Sequence, residues 1–195
     1  MEDEDVDVSR YRILLDEVRQ KFASVVWTHK IQEKQADIDA FSYKSCKTVN
    51  IVCSALTSCG IISTAYFSDT RVEIATALLS FVALFTAAYL RSFDLKESEI
   101  SHKNAANKFV VIRDRLLHVI AELKMLDDFE KISDEYGAIV ADLNELYSNA
   151  PGTTNLAVRR ASKALKCNGE YSYSDEEIDC FLPPDLKGRN LKSCR

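Results

Sequence analysis

Two long stretches without a single charge constrain this chain more than anything else in it. Between Lys47 and Asp69 lie 21 uncharged residues, TVNIVCSALTSCGIISTAYFS, and between Glu73 and Arg91 lie 17 more, IATALLSFVALFTAAYL. At 1.5 Å per residue, helices over these runs measure about 31 Å and 25 Å, against a hydrocarbon core of about 30 Å. The first spans a bilayer comfortably and the second only just. In the second, Ile74, Leu78, Leu79, Phe81, Val82, Leu84, Phe85 and Leu90 each favour insertion by roughly 0.3 to 0.6 kcal/mol, before its polar residues are subtracted. A buried hairpin in a water-soluble bundle would carry charges on one face of each helix at a 3.6-residue period, and neither run has any. The expected fold is therefore an all-α membrane protein: a two-helix transmembrane hairpin with spans 48–68 and 74–90. Ser68-Asp69-Thr70-Arg71-Val72-Glu73 forms its tight turn.

Basic residues orient the hairpin. Lys30, Lys34, Lys44 and Lys47 precede it, Arg91, Lys96, Lys103 and Lys108 follow it, and the turn carries only Arg71, so both termini are expected on the cytoplasmic side. Tyr43, Tyr66, Tyr89 and Phe93 lie near the run ends, where amphipathic rings prefer the interface. The mean hydropathy of -0.15 and net charge of -5 suggest an ordinary soluble protein, but the average conceals an apolar hairpin inside a densely charged chain. The acidic start, MEDEDVDVSR, has no basic region or apolar core of a secretory signal, so the hairpin itself is expected to direct insertion. Cys46, Cys53, Cys59, Cys167, Cys180 and Cys194 make no CxxC pair and have no His at zinc-ligand spacing; free thiols and no metal or cofactor are expected.

With five Gly and three Pro, two of them the adjacent Pro183-Pro184, long helices should dominate. In segment 1–47, Tyr11, Leu15, Val18, Phe22, Val25 and His29 recur in steps of four and three, a seam that wants a partner helix. The helix is expected to turn more polar from Ile31 to Lys47 as it delivers the chain to the bilayer. After the hairpin (48–90), segment 91–150 repeats the seam with Ala105, Phe109, Ile112, Leu116, Val119, Leu123 and Leu126 on a helix expected to continue out of the second span. Phe129, Ile132, Tyr136, Ile139, Val140, Leu143, Leu146 and Tyr147 form a third stripe, ended by Ala150-Pro151-Gly152. Three stripes make a cytoplasmic bundle continuous with the hairpin. In segment 151–195, Thr154 or Asn155 can cap a short helix, LAVRRASKALK, and the tail from Asn168 is expected to be irregular. The basic face of that helix fits an anion or nucleotide site, a membrane-surface patch, or simple solvation.

Within the first span the polar residues fall on one line. At 100° per residue, Asn50, Ser54, Thr57, Ile61, Thr64 and Ser68 lie within about 40° of one line. Such a stripe either zips helices together or faces water in a channel. In the second span Thr76, Ser80, Ala83 and Ala87 form a small-residue stripe suited to packing on the first, which leaves the line on the first span as the expected pore lining. Two helices cannot enclose a pore, so the channel reading demands a homo-oligomer, a tetramer or larger.

Trp27, His29 and Lys30 in VVWTHK, the short turn, and SHKNAANKFVVIRDRL with His102, Lys103, Ala106, Asn107, Lys108 and Arg113 resemble the SLATT family. These are two-transmembrane effectors associated with bacterial nucleotide-signalling defence systems, and the resemblance covers about residues 10–125. It implies a bacterial inner-membrane location and a homo-oligomer that opens a pore when infection is sensed. It also implies control by a nucleotide or oligonucleotide made by a partner nucleotidyltransferase, with no duplex nucleic acid involved. The chain has no recognisable sensor domain, so a ligand would bind the helical body or a separate protein. Lys103, Lys108, Arg113, Arg115, Arg159, Arg160, Lys163 and Lys166 are the candidate nucleotide-binding residues.

The leading expectation is an ion-channel-type effector of abortive infection that depolarises the membrane. Its alternative is a membrane-anchored helical scaffold that recruits a partner and conducts nothing. Catalysis is not expected, because His29, His102 and His118 have no nucleophile or paired carboxylates at informative spacing and no Gly-rich phosphate loop is present.

Overall fold

The computed structural model describes residues 2–66, 69–125 and 128–170, with side chains from residue 9 onward except Ala65. Among these residues every regular element is an α-helix: α1 Glu2–Tyr66, α2 Thr70–Ser92, α3 Leu95–Met125, α4 Phe129–Asn149 and α5 Asn155–Lys166. Ser68, Leu126, Cys180, Cys194 and the tail from residue 171 lie outside the described residues.

No proline precedes Pro151, and Gly60 is the one glycine within α1, so nothing interrupts 65 residues of helix about 97 Å long. Both helices of the hairpin are long and apolar enough to cross a membrane, and among the described residues nothing buries either apolar window. Ile61, Ile62, Leu78, Phe81, Leu84 and Phe85 are each 60% exposed or more, a concentration of apolar surface that water disfavours and hydrocarbon accepts.

The connections differ from expectation in two places, and a side-chain cap explains each. Asp69 accepts the Arg71 N–H, so α2 starts at Thr70 and Thr70 to Glu73 form its first turn. The second helix thereby reaches 23 residues, about 34 Å, and no longer falls short of a bilayer. At the other end α2 does not run on: Phe93 is extended, and Asp94 accepts the Glu97 N–H at 2.9 Å to start α3 as a new helix.

Below the hairpin, α1, α3 and α4 form a three-helix bundle. Val18 and Val25 of α1 meet Phe109, Ile112, Leu116, Val119 and Leu123 of α3 and Ile132, Tyr136, Ile139, Leu143 and Leu146 of α4. These are the seam positions of the three apolar stripes, with Tyr11, Leu15 and Phe22 packed at the margin. Asp128 caps α4 by accepting the Glu130 and Lys131 N–H groups, and Pro151 stops it because the residue before a proline is kept out of the helical region. Thr154, rather than Asn155, caps α5. Ala157, Ala161 and Ala164 are fully buried, and the first two pack with Trp27, Ile31 and Ile38 of α1; a methyl side chain lets the two helices approach closely.

Candidate functional site

Between α1 and α2, Asn50, Ser54 and Thr57 face Ser80, Ala83, Leu84 and Ala87 across an open groove of about 350 Å³. Asn50 Nδ2 donates to Ala83 O at 2.7 Å and to Thr86 Oγ1 at 3.1 Å. Such bonds are favoured where no water competes for the amide. Among the described residues, Thr57 Oγ1 is buried without a hydrogen-bond partner. One turn further, Gly60 packs directly on Thr76, the closest approach that the hairpin glycine permits.

The predicted polar line is therefore divided. Asn50 and Thr57 turn toward α2, Ser54 lies at the groove but is exposed, Ile61 is exposed, Thr64 is half-buried with its hydroxyl bonded to Ile61 O, and Ser68 lies outside the described residues. The stripe on α2 contributes Ser80 and Ala83 to the same groove, so the polar face belongs to both helices.

The candidate cations fall into separate groups. Lys108 and Arg115 line a groove of about 340 Å³ between α3 and α4, but Asp142 and Glu145 line it too and Arg115 is paired with Asp142. Lys103 is paired with Glu99 at 2.6 Å, and Arg113 bonds Asp114. Arg159, Arg160 and Lys163 are exposed on α5, and Lys166 stands 5.5 Å over the Trp27 ring.

A third arrangement, which the sequence reading missed, lies where the bundle meets the hairpin. His29, Lys30, Gln32, Gln35, Asp39, Glu99 and His102 are all buried. His29 Nδ1–H donates to Ala106 O at 2.9 Å. Gln32 Nε2 donates to Pro151 O at 3.0 Å, which leaves its Oε1 to accept His102 Nδ1–H. Asp39 accepts from Gln35 Nε2 at 2.9 Å and Ser98 Oγ at 2.7 Å, and His102 Nε2 lies 3.8 Å from the same carboxylate. Gln35 Oε1 accepts from both the backbone N–H and the hydroxyl of Thr154, the cap of α5. One face of α1 thus ties the base of α3 and the start of α5 together just before the membrane.

Burial is the main cause that pushes the His29 and His102 pKa values down, so both rings are neutral at neutral pH. The hydrogen bonds of Lys103 and Lys96 hold the Glu99 carboxyl at about 2, fully ionised. The signal for this joint was present in the seam: His29, Gln32, Ala36 and Asp39 continue its steps of three and four, with polar residues at three of the four positions. Among the described residues no group of three or more His, Cys, Asp or Glu could hold a metal ion.

No curated protein and no solved structure matches the chain. A family model does, over residues 14–177, which takes in all but the first turns of α1, the hairpin, the bundle and α5. With two apolar helices on a helical body and a match of that extent, the chain belongs to the SMODS and SLOG-associating 2TM effector domain family 4.

Proposed function

We propose that this protein is a pore-forming effector of a nucleotide-signalling defence system. Several copies assemble in the inner membrane with both termini cytoplasmic, and a change in an anionic nucleotide signal opens a path that depolarises the infected cell. The observation that carries this reading is the hydroxyl-bearing groove between α1 and α2, at the level where a lipid-facing surface would be wholly apolar. One hairpin cannot surround a path, so the groove must meet its equivalents around an axis. The family's description as an effector domain associated with SMODS and SLOG supports the effector role and a nucleotide-signalling context. The signal would reach the pore through α5, which carries exposed Arg159, Arg160 and Lys163 and is fastened to the same α1 helix that enters the hairpin.

Replacing Ser54 and Thr57 together by Leu tests the groove. Growth arrest on expression should be lost while chemical cross-linking still shows the oligomer, and undiminished arrest in the double variant would contradict the groove as the path. A second reading, a membrane-anchored scaffold that recruits a partner without conducting, is favoured by one observation: Asn50, the most polar group of the span, is satisfied within its own hairpin.

A further inference from the structure

The helix faces that line the groove between α1 and α2 run on into charge at both ends. Ser54 of α1 and Ser80 and Leu84 of α2 line the groove itself. Seven residues are two helical turns and return to the same face within about 20°. Lys47 stands seven residues before Ser54, Arg91 seven after Leu84, and Glu73 seven before Ser80. All three are exposed and, among the described residues, none of them is held in an ion pair. Asn50 bonds Ala83 O and Thr86, so Lys47, one turn lower on α1, is level with the end of α2 where Arg91 stands. Helical side chains lean toward their own N-terminus, which carries Arg91 back toward the membrane and Lys47 away from it. Lys47 Nζ accordingly lies 5.6 Å over the ring of Tyr43, one turn below. The two cations thus meet at one level, the cytoplasmic end of the groove. Glu73 marks the other end, about 27 Å of helix from Arg91, and the groove between them is lined by neutral residues alone.

We propose that Lys47 and Arg91 form a cationic ring at the cytoplasmic mouth of the path and Glu73 an acidic ring at its outer mouth, and that this pair of rings makes the pore an inward rectifier. Repetition around the oligomer axis turns each charge into a ring, and a charged ring concentrates the ion of opposite sign. At about 0.1 M salt the screening length is about 10 Å, well short of the separation, so each mouth acts by itself. With the cytoplasm negative, cations are driven inward past Glu73 and anions outward past Lys47 and Arg91. Each mouth then supplies the ion that it concentrates, the neutral stretch fills with carriers, and conductance is high. With the cytoplasm positive, each mouth must supply the ion that it excludes, and the stretch is depleted. Neighbouring charges do not cancel the rings. Lys44 adds a further cation near the inner mouth, and Asp94 is engaged there with the Glu97 N–H. At the turn Asp69 accepts the Arg71 N–H, and Arg71 stands about 200° around α2 from Glu73. Orientation in the bilayer asks for cytoplasmic cations, and the dipole of α2 for an acidic first turn, but neither asks for them on the faces of the groove.

This inference rests on the proposed conduction path and its orientation, and goes beyond them to the direction of current. Such a pore passes the current that collapses an inside-negative potential and resists the reverse. The test is patch recording in symmetric potassium chloride from giant spheroplasts of cells whose growth the full-length protein arrests, where the orientation in the membrane is the native one. At about 0.1 M salt the current with the cytoplasm negative should exceed that at the same voltage of opposite sign by about two-fold or more. Lys47→Gln with Arg91→Gln should bring the two currents to equality, and Glu73→Gln alone should reduce the ratio. The wild-type protein supplies an independent check that needs no variant to fold: at about 1 M salt the screening length falls to about 3 Å, and the ratio should approach one. Current that is present but equal at the two signs, larger with the cytoplasm positive, or as asymmetric at high salt as at low would overturn the rings and leave the pore standing. No current at either sign would overturn the pore and the rings with it.

Discussion

His29 and His102 face opposite parts of one joint and titrate with the same sign. Each has its pKa lowered in the folded protein, mainly by burial, with Asp39 opposing the shift at His102 and Ala106 O opposing it at His29. The unfolded chain therefore binds protons more readily near pH 6.5, and the stability these neutral rings contribute is present above that pH and lost as pH falls through it. Glu99 adds a second window: its folded pKa of about 2 lies below the ordinary glutamate value of 4.5, so its contribution is present above pH 4.5 and lost as pH falls toward 2. The thermal midpoint of the detergent-solubilised protein should accordingly fall between pH 7.5 and 5.5, and His102→Gln should make that decline shallower. A midpoint that is level or rises over this range would show that the joint does not hold its histidines neutral. The residues of this joint were only partly legible in the sequence. His29 read correctly as a seam residue, because its spacing from Val25 and Phe22 was visible. Gln32, Gln35 and Asp39 were not legible as partners, because their ligands, Pro151 O, Thr154 and Ser98, stand 59 to 119 residues away in the chain.

Among the elements, the bundle follows most directly from pattern. Phe109, Ile112, Leu116, Val119 and Leu123 are all buried at the positions their four-and-three spacing assigns, because period alone determines which face of a helix is apolar. Leu116 is fully buried between α1 and α4, so Leu116→Ala should cost about 2–5 kcal/mol in urea unfolding; a loss below about 1 kcal/mol would deny it a place in the core. Helix ends were less legible. The start of α2 at Thr70 and the break at Phe93 depend on which aspartate turns its side chain onto a free N–H, a choice that hydropathy does not record. The contact of α1 with α2 rests on Gly60. A methyl group there would overlap the Thr76 side chain, which is itself fixed by the bond from Thr76 Oγ1 to Val72 O. Gly60→Ala should therefore push the two helices apart at an overpacking cost of about 1–3 kcal/mol, and cysteine pairs across the hairpin should cross-link less efficiently than in the parent. Unchanged cross-linking would mean that α1 and α2 are not in close contact at this level.

For the molecule as a whole, the long α1 is the organising object. It forms one wall of the bundle, carries the polar joint, holds α5, and supplies Asn50, Ser54 and Thr57 to the groove. A change of packing on its lower part is therefore applied to the same helix that lines the groove, a direct physical route for control. Membrane crossing was legible because two uncharged runs of that length have few other uses. The share of α2 in the groove was not, because a single-helix projection orders residues around one axis and cannot say which side the neighbouring helix occupies. Conduction is read as ion flux from liposomes containing the purified protein, with and without the product of a cognate nucleotidyltransferase. Flux that changes with the nucleotide, and that Ser54→Leu with Thr57→Leu removes, is the predicted result. No flux under either condition from protein that is inserted and oligomeric would contradict the pore and leave the scaffold as the function of this chain.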